Sequence, residues 1–245
     1  MRDFITCLEF LTRLRFSNRT SWKDDDFSRS VPYFPLVGLV IGIFLCYVNH
    51  FLVYIDTPAF LRAAGLILSE VLFTGELIYD GFMDTADGIF SARSREHMLE
   101  IMRDSHVGAN AVIAFVCMVL LKVAAYISIN GGELSRVLVA MSVATRTFMV
   151  NYIVNFEYAR KTGIGHMFAR YSRPIYSYIA AVLGLIIILT CGLTYLCAAV
   201  VTFVVCLGIA WYLSNKLGGL TGDTYGFLTE TGNVIYLIIA FYLLR

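Results

Sequence analysis

Residues 33–55 read YFPLVGLVIGIFLCYVNHFLVYI, a run of 23 residues without Asp, Glu, Lys or Arg. A helix needs about 20 mostly apolar residues to cross a hydrocarbon core roughly 30 Å thick. Comparable windows follow near 58–79, 107–129, 134–155, 174–193, 195–214 and 226–244. Two of their boundaries are marginal. Cys191-Gly192-Leu193-Thr194 must turn tightly to split one long apolar stretch, and the uninterrupted apolar core of the last window starts only at Val234. The pattern predicts an all-α, polytopic transmembrane bundle of seven spans, with six as the alternative, in a single integral-membrane domain covering 1–245.

Composition points the same way. Of the 245 residues, 58% are hydrophobic and 15% charged, against about 45–50% and about 25% in soluble globular domains. One soluble core cannot hide that excess. Nineteen Lys and Arg against 18 Asp and Glu leave a net charge of +1, which excludes a nucleic-acid-coating surface. Four prolines and no Pro-, Ser- or Gln-rich run exclude a disordered chain.

The cations set the expected orientation. Arg2, Arg13, Arg15, Arg19, Lys23 and Arg29 precede the first window, and Arg93, Arg95 and Arg103 lie in 80–106. Arg160, Lys161, Arg170 and Arg173 separate the fourth and fifth windows, and Lys216 follows the sixth. Only Arg62, Arg136 and Arg245 fall on the other side. The positive-inside rule then puts the N-terminus in the cytoplasm. Within the cytoplasmic or interfacial segment 1–30, Phe4, Leu8, Leu11 and Arg15 keep helical spacing. Residues 3–16 are therefore expected to lie along the inner surface as an amphipathic helix. Asp3 and Glu9 interrupt this stretch, so it does not read as a signal peptide. The six cysteines read as packed small hydrophobes and the four histidines show no zinc spacing.

The second window runs into TGELIYDGFMDTADG, residues 74–88. At about 100° per residue, Glu76 and Asp84 fall about 40° from Asp80, and Asp87 about 20° from it. Four carboxylates thus share one stripe, where each Asp near hydrocarbon costs roughly 2.5–3.5 kcal/mol. Such a stripe calls for a cation. All-oxygen ligation suits Mg²⁺, Ca²⁺ or Mn²⁺, and Mg²⁺ commonly shares carboxylates with substrate phosphates. Asp80, Asp84 and Asp87 are the candidate metal ligands. The segment 80–106 is the expected Asp-rich active-site segment.

Downstream, SARSREHMLEIMRDSHVG (91–108) contains a helix start at Ser94, and Asp104 beside Arg103. Asp104 is suited to activating a hydroxyl or completing a metal site; a salt bridge or helix cap is the plain alternative. ARKTGIGH (159–166), with Arg170 and Arg173, offers guanidinium groups for phosphate oxygens and serves equally well as a positive-inside anchor. GGLTGDTYG (218–226) adds backbone amides and Asp223 at the mouth of the last span. Lys122 and Arg146, inside spans, are expected to face the bundle interior, with Arg146 a candidate partner for Glu76 or a phosphate. By the cation count these loops share one side and can build one site.

The blocks RSVPYFPLVG (29–38), DGFMDTADG (80–88), LEIMRDSHVG (99–108) and GGLTGDTYG (218–226), with Arg160 to Gly165, run the length of the chain. In them the sequence resembles the cobalamin synthases, or adenosylcobinamide-GDP ribazoletransferases. The resemblance implies a polytopic, Mg²⁺-dependent enzyme of a prokaryotic inner membrane, its active site facing the cytoplasm. Such an enzyme joins adenosylcobinamide-GDP to α-ribazole or its 5′-phosphate, giving adenosylcobalamin or its 5′-phosphate and GMP. Asp80, Asp84 and Asp87 would hold the metal. Arg93, Arg103 and Arg160, with Glu76 and Arg146 as weaker candidates, would serve the substrate phosphates. Asp84, Asp104 and Asp223 are the catalytic candidates, the last two as bases. Membrane lipid and other corrinoid-assembly enzymes are the implied partners, and nucleic acid is not.

The chain departs from the family's usual pattern at several positions. Glu76, Ile78 and Tyr79 stand where Gly, His and Leu are usual, Arg15 where Pro is common, and Asn233 where Glu is usual. A changed second-substrate pocket is the consequence to test. Three further readings stay open. Asp84, Asp87, Gly88, Ala92 and Arg93 resemble, with one extra residue, the D-x-x-D-G-x-x-A-R motif of CDP-alcohol phosphotransferases, which release CMP. Asp80 and Asp84 share the D-x-x-x-D spacing of prenyltransferases, which release pyrophosphate. A cation-coupled transporter would instead place the carboxylates near mid-bilayer.

Overall fold

The computed structural model describes residues 2–16 and 24–245; Arg19 and Lys23 of the expected cationic segment lie outside them. Every regular element among the described residues is helical. A short helix α1 (Arg2–Leu11) and α2 (Asp24–Ser30) precede α3 (Phe34–Tyr54) and α4 (Ala59–Thr74). Then come α5 (Leu77–Phe90), α6 (Arg95–Ile101), α7 (Ala109–Ser128) and α8 (Gly131–Asn155). The chain ends with α9 (Ile164–Arg170), α10 (Pro174–Cys191), α11 (Leu193–Leu217) and α12 (Gly222–Leu243).

The bundle is centred on α8, which packs against α3, α10, α11 and α12. Two small residues on α3 explain the closest of these contacts. A Cβ on Gly38 would sit 2.4 Å from the Ser142 carbonyl oxygen, and one on Gly42 would sit 2.6 Å from Val139 Cα. In lipid, helices gain no hydrophobic drive from meeting each other, so close backbone approach at a G-x-x-x-G pair supplies the packing. The outer faces are apolar and exposed, with Ile113, Leu120, Ile186, Val204 and Trp211 among them. Exposed side chains of this kind suit contact with lipid.

Among the described residues six stretches are long and apolar enough to cross a membrane: Asp26–Tyr54, α7, α8, α10, α11 and α12. The protein is a multi-pass membrane protein. Both boundaries that looked marginal are present: α10 ends at Cys191 before Gly192 with φ +129, and α12 is continuous from Gly222. The window that does not form a single span is 58–79. There α4 has 16 residues, about 24 Å at 1.5 Å per residue. It runs antiparallel to α3, with Gly65 beside Leu52 and the Phe73 ring stacked on Phe44 at 4.1 Å. It therefore stops halfway along α3. Gly75, at φ +78, breaks the helix, and α5 starts in a new direction. Of the two expected counts, seven and six, the six long helices match the second, with 58–79 forming the interrupted pair α4 and α5.

The N-terminal helix is also shorter than 3–16. It ends at Leu11, the Thr12 hydroxyl bonds the Leu8 carbonyl at 2.6 Å, and the Arg13 amide donates to the Phe73 carbonyl at 2.8 Å. The segment after α1 is thus tied to the open end of α4.

Candidate active site

Three of the four carboxylates of the stripe, Asp80, Asp84 and Asp87, lie on α5, and Glu76 precedes its first turn. Its position is set by an unusually close approach to the start of α12. A Cβ on Gly81 would lie 2.8 Å from the Asp223 carbonyl oxygen, and one on Gly226 2.7 Å from the Ile78 carbonyl oxygen. Phe82 and Phe227 stack beside this contact at 5.2 Å. Two glycines facing each other bring Asp80 and Asp84 beside Asp223.

The start of α12 is well determined. Thr221 Oγ1 accepts from the Thr224 amide at 3.2 Å, and Thr224 Oγ1 accepts from the Thr221 amide at 2.8 Å. This reciprocal cap satisfies two backbone donors. Asp223 sits in the first turn, where the helix dipole favours a negative charge. Arg160 is delivered to it by the 157–163 loop. An isolated parallel bridge joins Tyr158 to Leu220, with the Ala159 amide on the Leu220 carbonyl and the Leu220 amide on the Glu157 carbonyl, each at 2.8 Å. Gly219, at φ +128, permits that approach; a Cβ there would be 2.7 Å from the Glu157 carbonyl oxygen. Arg160 Nη1 then lies 2.8 Å from Asp223 Oδ2.

Charge is concentrated here. Asp84 is half-buried, and its carboxyl is pushed up to about 7, first by burial and then by the negative charges of Asp80 and Asp223. The positive charge of Arg160 works against that rise. Asp87 has a different environment. Its Oδ2 accepts from the Gly108 amide at 2.6 Å and its Oδ1 from the Ala111 amide at 3.3 Å, so it caps the first turn of α7. Among the described residues no group of three or more carboxylate, imidazole or thiolate side chains is placed to hold a metal ion by itself. Asp80, Asp84 and Asp223 instead form an open anionic face.

Next to that face lies a cavity of about 450 Å³. Asp80, Asp223, Arg103 and Arg160 contribute its charged lining. Phe10, Phe34, Tyr158, Phe168 and Tyr225 contribute aromatic lining, with Met149, Ile153, Leu77 and Ile78 between. Elements from both ends of the chain meet here.

Not every candidate residue joins the site. Glu76 precedes the first turn of α5, is mostly exposed, and pairs with Arg13. Arg146 is buried in the bundle, where its Nη1 bonds Thr145 Oγ1 at 3.1 Å and its charge faces Glu70 and Glu230. It meets neither Glu76 nor the cavity. Asp104 is exposed; the His106 ring first, and then the His106 amide that it accepts from at 3.1 Å, hold its carboxyl below the usual range. Arg93 is exposed and does not line the cavity. The aromatic lining was missed, because in a chain this apolar Phe10, Phe168 and Tyr225 look like any membrane-facing residue.

A family model for cobalamin-5-phosphate synthase matches residues 3–241. The chain belongs to the cobalamin-5-phosphate synthase family. Relatives agree along nearly their whole length. An adenosylcobinamide-GDP ribazoletransferase of Clostridium novyi (strain NT) is 31% identical over 243 residues, covering 97% of this chain and 96% of the relative. One of Klebsiella pneumoniae (strain 342) is 33% identical over 244 residues, covering 97% and 98%. One of Shigella flexneri is 34% identical over 244 residues, covering 96% and 97%. No solved structure matches the chain. Within this cobalamin-5-phosphate synthase family member, two of the departures noted above share one buried site. The Tyr79 hydroxyl accepts from Lys122 Nζ at 3.0 Å, and Asn233 Nδ2 donates to Glu230 Oε1 at 3.1 Å. Lys122 Nζ also donates to Glu230 Oε2 at 3.0 Å, which joins the two.

Proposed function

We propose that this protein is an adenosylcobinamide-GDP ribazoletransferase, joining the activated corrinoid to α-ribazole or its 5′-phosphate with release of GMP. The observation that carries the reading, beside the family match, is the anionic face of Asp80, Asp84 and Asp223 at a cavity that also holds Arg103 and Arg160. Phosphoryl transfer needs that combination, since its barrier is lowered mainly by positioning and by neutralising charge. The cation bias of the loops supports a site on the cytoplasmic side of an inner membrane.

The residues fit Mg²⁺. Their donors are all oxygen, and the carboxyl of Asp84 is raised first by burial and then by the neighbouring charges of Asp80 and Asp223, which a bound cation would offset. Mg²⁺ prefers one or two carboxylates together with substrate phosphates, which suits an open face better than a closed cage. Asp80 and Asp84 would hold it, with Asp87 beside them through the lone pairs its two amide contacts leave. When bound, the ion neutralises charge on the diphosphate oxygens.

Arg160 and Arg103 bind the same oxygens from the cavity side. Thr221 Oγ1 and Arg160 both bond Asp223 Oδ2, at 3.4 and 2.8 Å, which leaves Oδ1 for an incoming hydroxyl. Asp223 accepts the proton as that hydroxyl oxygen bonds to the phosphorus that stays with the corrinoid. The bond from this phosphorus to the GMP oxygen breaks, and GMP leaves. The test uses purified protein in detergent with Mg²⁺, adenosylcobinamide-GDP and α-ribazole. Equal amounts of GMP and the new corrinoid, both abolished by EDTA, are expected. Folded protein that forms neither product overturns the reading, and CMP released from CDP-alcohols would replace it.

A further inference from the structure

The cavity holds more than the charged groups that the reaction uses. Phe168 on α9 is only 3% exposed and lies at the centre of an aromatic cluster. Its ring centroid is 4.7 Å from Phe10, 5.2 Å from Phe27 and 5.7 Å from Phe34. Phe10, Phe34 and Phe168 all line the cavity. None of the three offers a polar atom, and aromatic faces of this kind take a planar ring by stacking or edge contact.

Beside that wall are donors without acceptors. Tyr225 lines the cavity, is 5% exposed, and its buried hydroxyl has no partner. Arg160 lines it too; Nη1 bonds Asp223, whereas the buried Nε and Nη2 have none. Buried polar groups in native proteins are almost always paired. Three unpaired donors on two residues lining one cavity indicate a ligand that brings acceptor oxygens.

We infer that the cavity is the seat of the acceptor nucleoside, with its planar base against Phe10, Phe34 and Phe168 and a ribose oxygen bonded by the Tyr225 hydroxyl. This rests on the proposed ribazoletransferase reading. The volume of about 450 Å³ is in the range of small-molecule sites, about 300–1,000 Å³. It suits one nucleoside, while the corrinoid is several times larger and stays outside. The guanosine of the donor shares the chemistry of a flat heterocycle on a sugar. Its base, however, carries a polar edge that the phenylalanine wall would leave unpaired. A benzimidazole presents a hydrocarbon edge and loses nothing there. Seated so, the ribose lies next to Asp223, with a hydroxyl toward the side of the cavity that Asp80 lines.

The experiment measures binding of α-ribazole alone and of GMP alone by equilibrium dialysis of the full-length protein in detergent. KM is then measured for each substrate in turnover. Phe168→Leu keeps most of the volume and loses the ring; Tyr225→Phe keeps the ring and loses the hydroxyl. Each is expected to weaken α-ribazole binding and raise its KM about tenfold, and to leave the KM for adenosylcobinamide-GDP within about twofold. Loss of GMP binding with α-ribazole retained would assign the cavity to the donor and overturn the inference. Unchanged KM for α-ribazole in both variants would overturn it as well. Wild-type protein that binds α-ribazole in a Phe168-dependent way without forming cobalamin would sink the proposed reaction and keep the nucleoside site. Wild-type turnover with unaltered variants would do the reverse.

Discussion

The ammonium of Lys122 lies 2.7 Å from Glu70 Oε2, with the two side chains 0% and 1% exposed. Around it Glu230 Oε2 and the Tyr79 hydroxyl each lie at 3.0 Å. Four helices, α4, α5, α7 and α12, meet at this one nitrogen. Arg146 adds a second buried cation, bonded to Thr145, which in turn donates to Asn233 Oδ1 at 3.0 Å. Two cations thus stand against two carboxylates. These buried charges are spent on one another.

Removing one partner of such a group leaves a buried charge uncompensated, at about 3–5 kcal/mol. Lys122→Met is therefore expected to destabilise the protein by about that amount. The double variant Lys122→Met, Glu70→Gln should recover part of the loss, because the stranded carboxylate is gone. Unfolding in detergent for the four corners of this cycle measures the coupling. Additive single effects would contradict the network.

Asp84 ties stability to pH. Burial, with the charges of Asp80 and Asp223, pushes its carboxyl up to about 7 in the fold, against an ordinary 3.8. The folded state therefore binds its proton more tightly than the unfolded state, so stability falls as pH rises between those values. Without Mg²⁺, the wild-type melting temperature should decline from pH 4 to 7 more than that of Asp84→Asn. Added Mg²⁺ should reverse the decline at pH 7 in the wild type alone. Parallel pH profiles for the two proteins would show that Asp84 is not the group responsible.

The two candidate bases give opposite expectations. Asp223 lines the cavity and Asp104 is exposed and bonded to His106. Loss of a general base costs about 10²–10⁴-fold, so Asp223→Asn should lower kcat on that scale. Asp104→Ala should leave it within about twofold. Steady-state kinetics of the two purified variants decide between them, and a large loss in Asp104→Ala would move the base to α7's approach segment.

Gly226→Ala places a methyl 2.7 Å from the Ile78 carbonyl oxygen. Overpacking of this kind costs about 1–3 kcal/mol, and it separates α5 from the start of α12. Turnover should fall because Asp80 and Asp84 move off Asp223, with the Mg²⁺ concentration for half-maximal rate rising. Wild-type Mg²⁺ dependence in a folded Gly226→Ala protein would show that this contact does not position the carboxylates.

Much of this was readable along the chain, for a physical reason. Bilayer thickness and helix period act on contiguous residues, so the apolar windows, the Asp stripe on α5 and the turn at Gly192 are local facts. The family-like blocks are local too, and they carried the chemistry of the stripe. Other features were decided only in three dimensions. The break at Gly75 interrupts, near its end, an apolar window that hydropathy alone counts as a span, and α5 beyond it packs its Ile78 carbonyl against Gly226. Asp87 matches Asp80 and Asp84 in spacing, yet its oxygens meet the amides of Gly108 and Ala111, more than twenty residues on. Arg146 was expected to partner Glu76 or a phosphate, but burial left it facing Glu70 and Glu230, while Glu76 met Arg13. The cavity is composed of Phe10, Asp80, Arg160, Phe168 and Tyr225, residues that no window contains together. Charge and apolarity along a chain determine which segments enter a membrane and which carboxylates are costly there. Which partner each buried charge finds depends on distances between helices, and packing alone sets those.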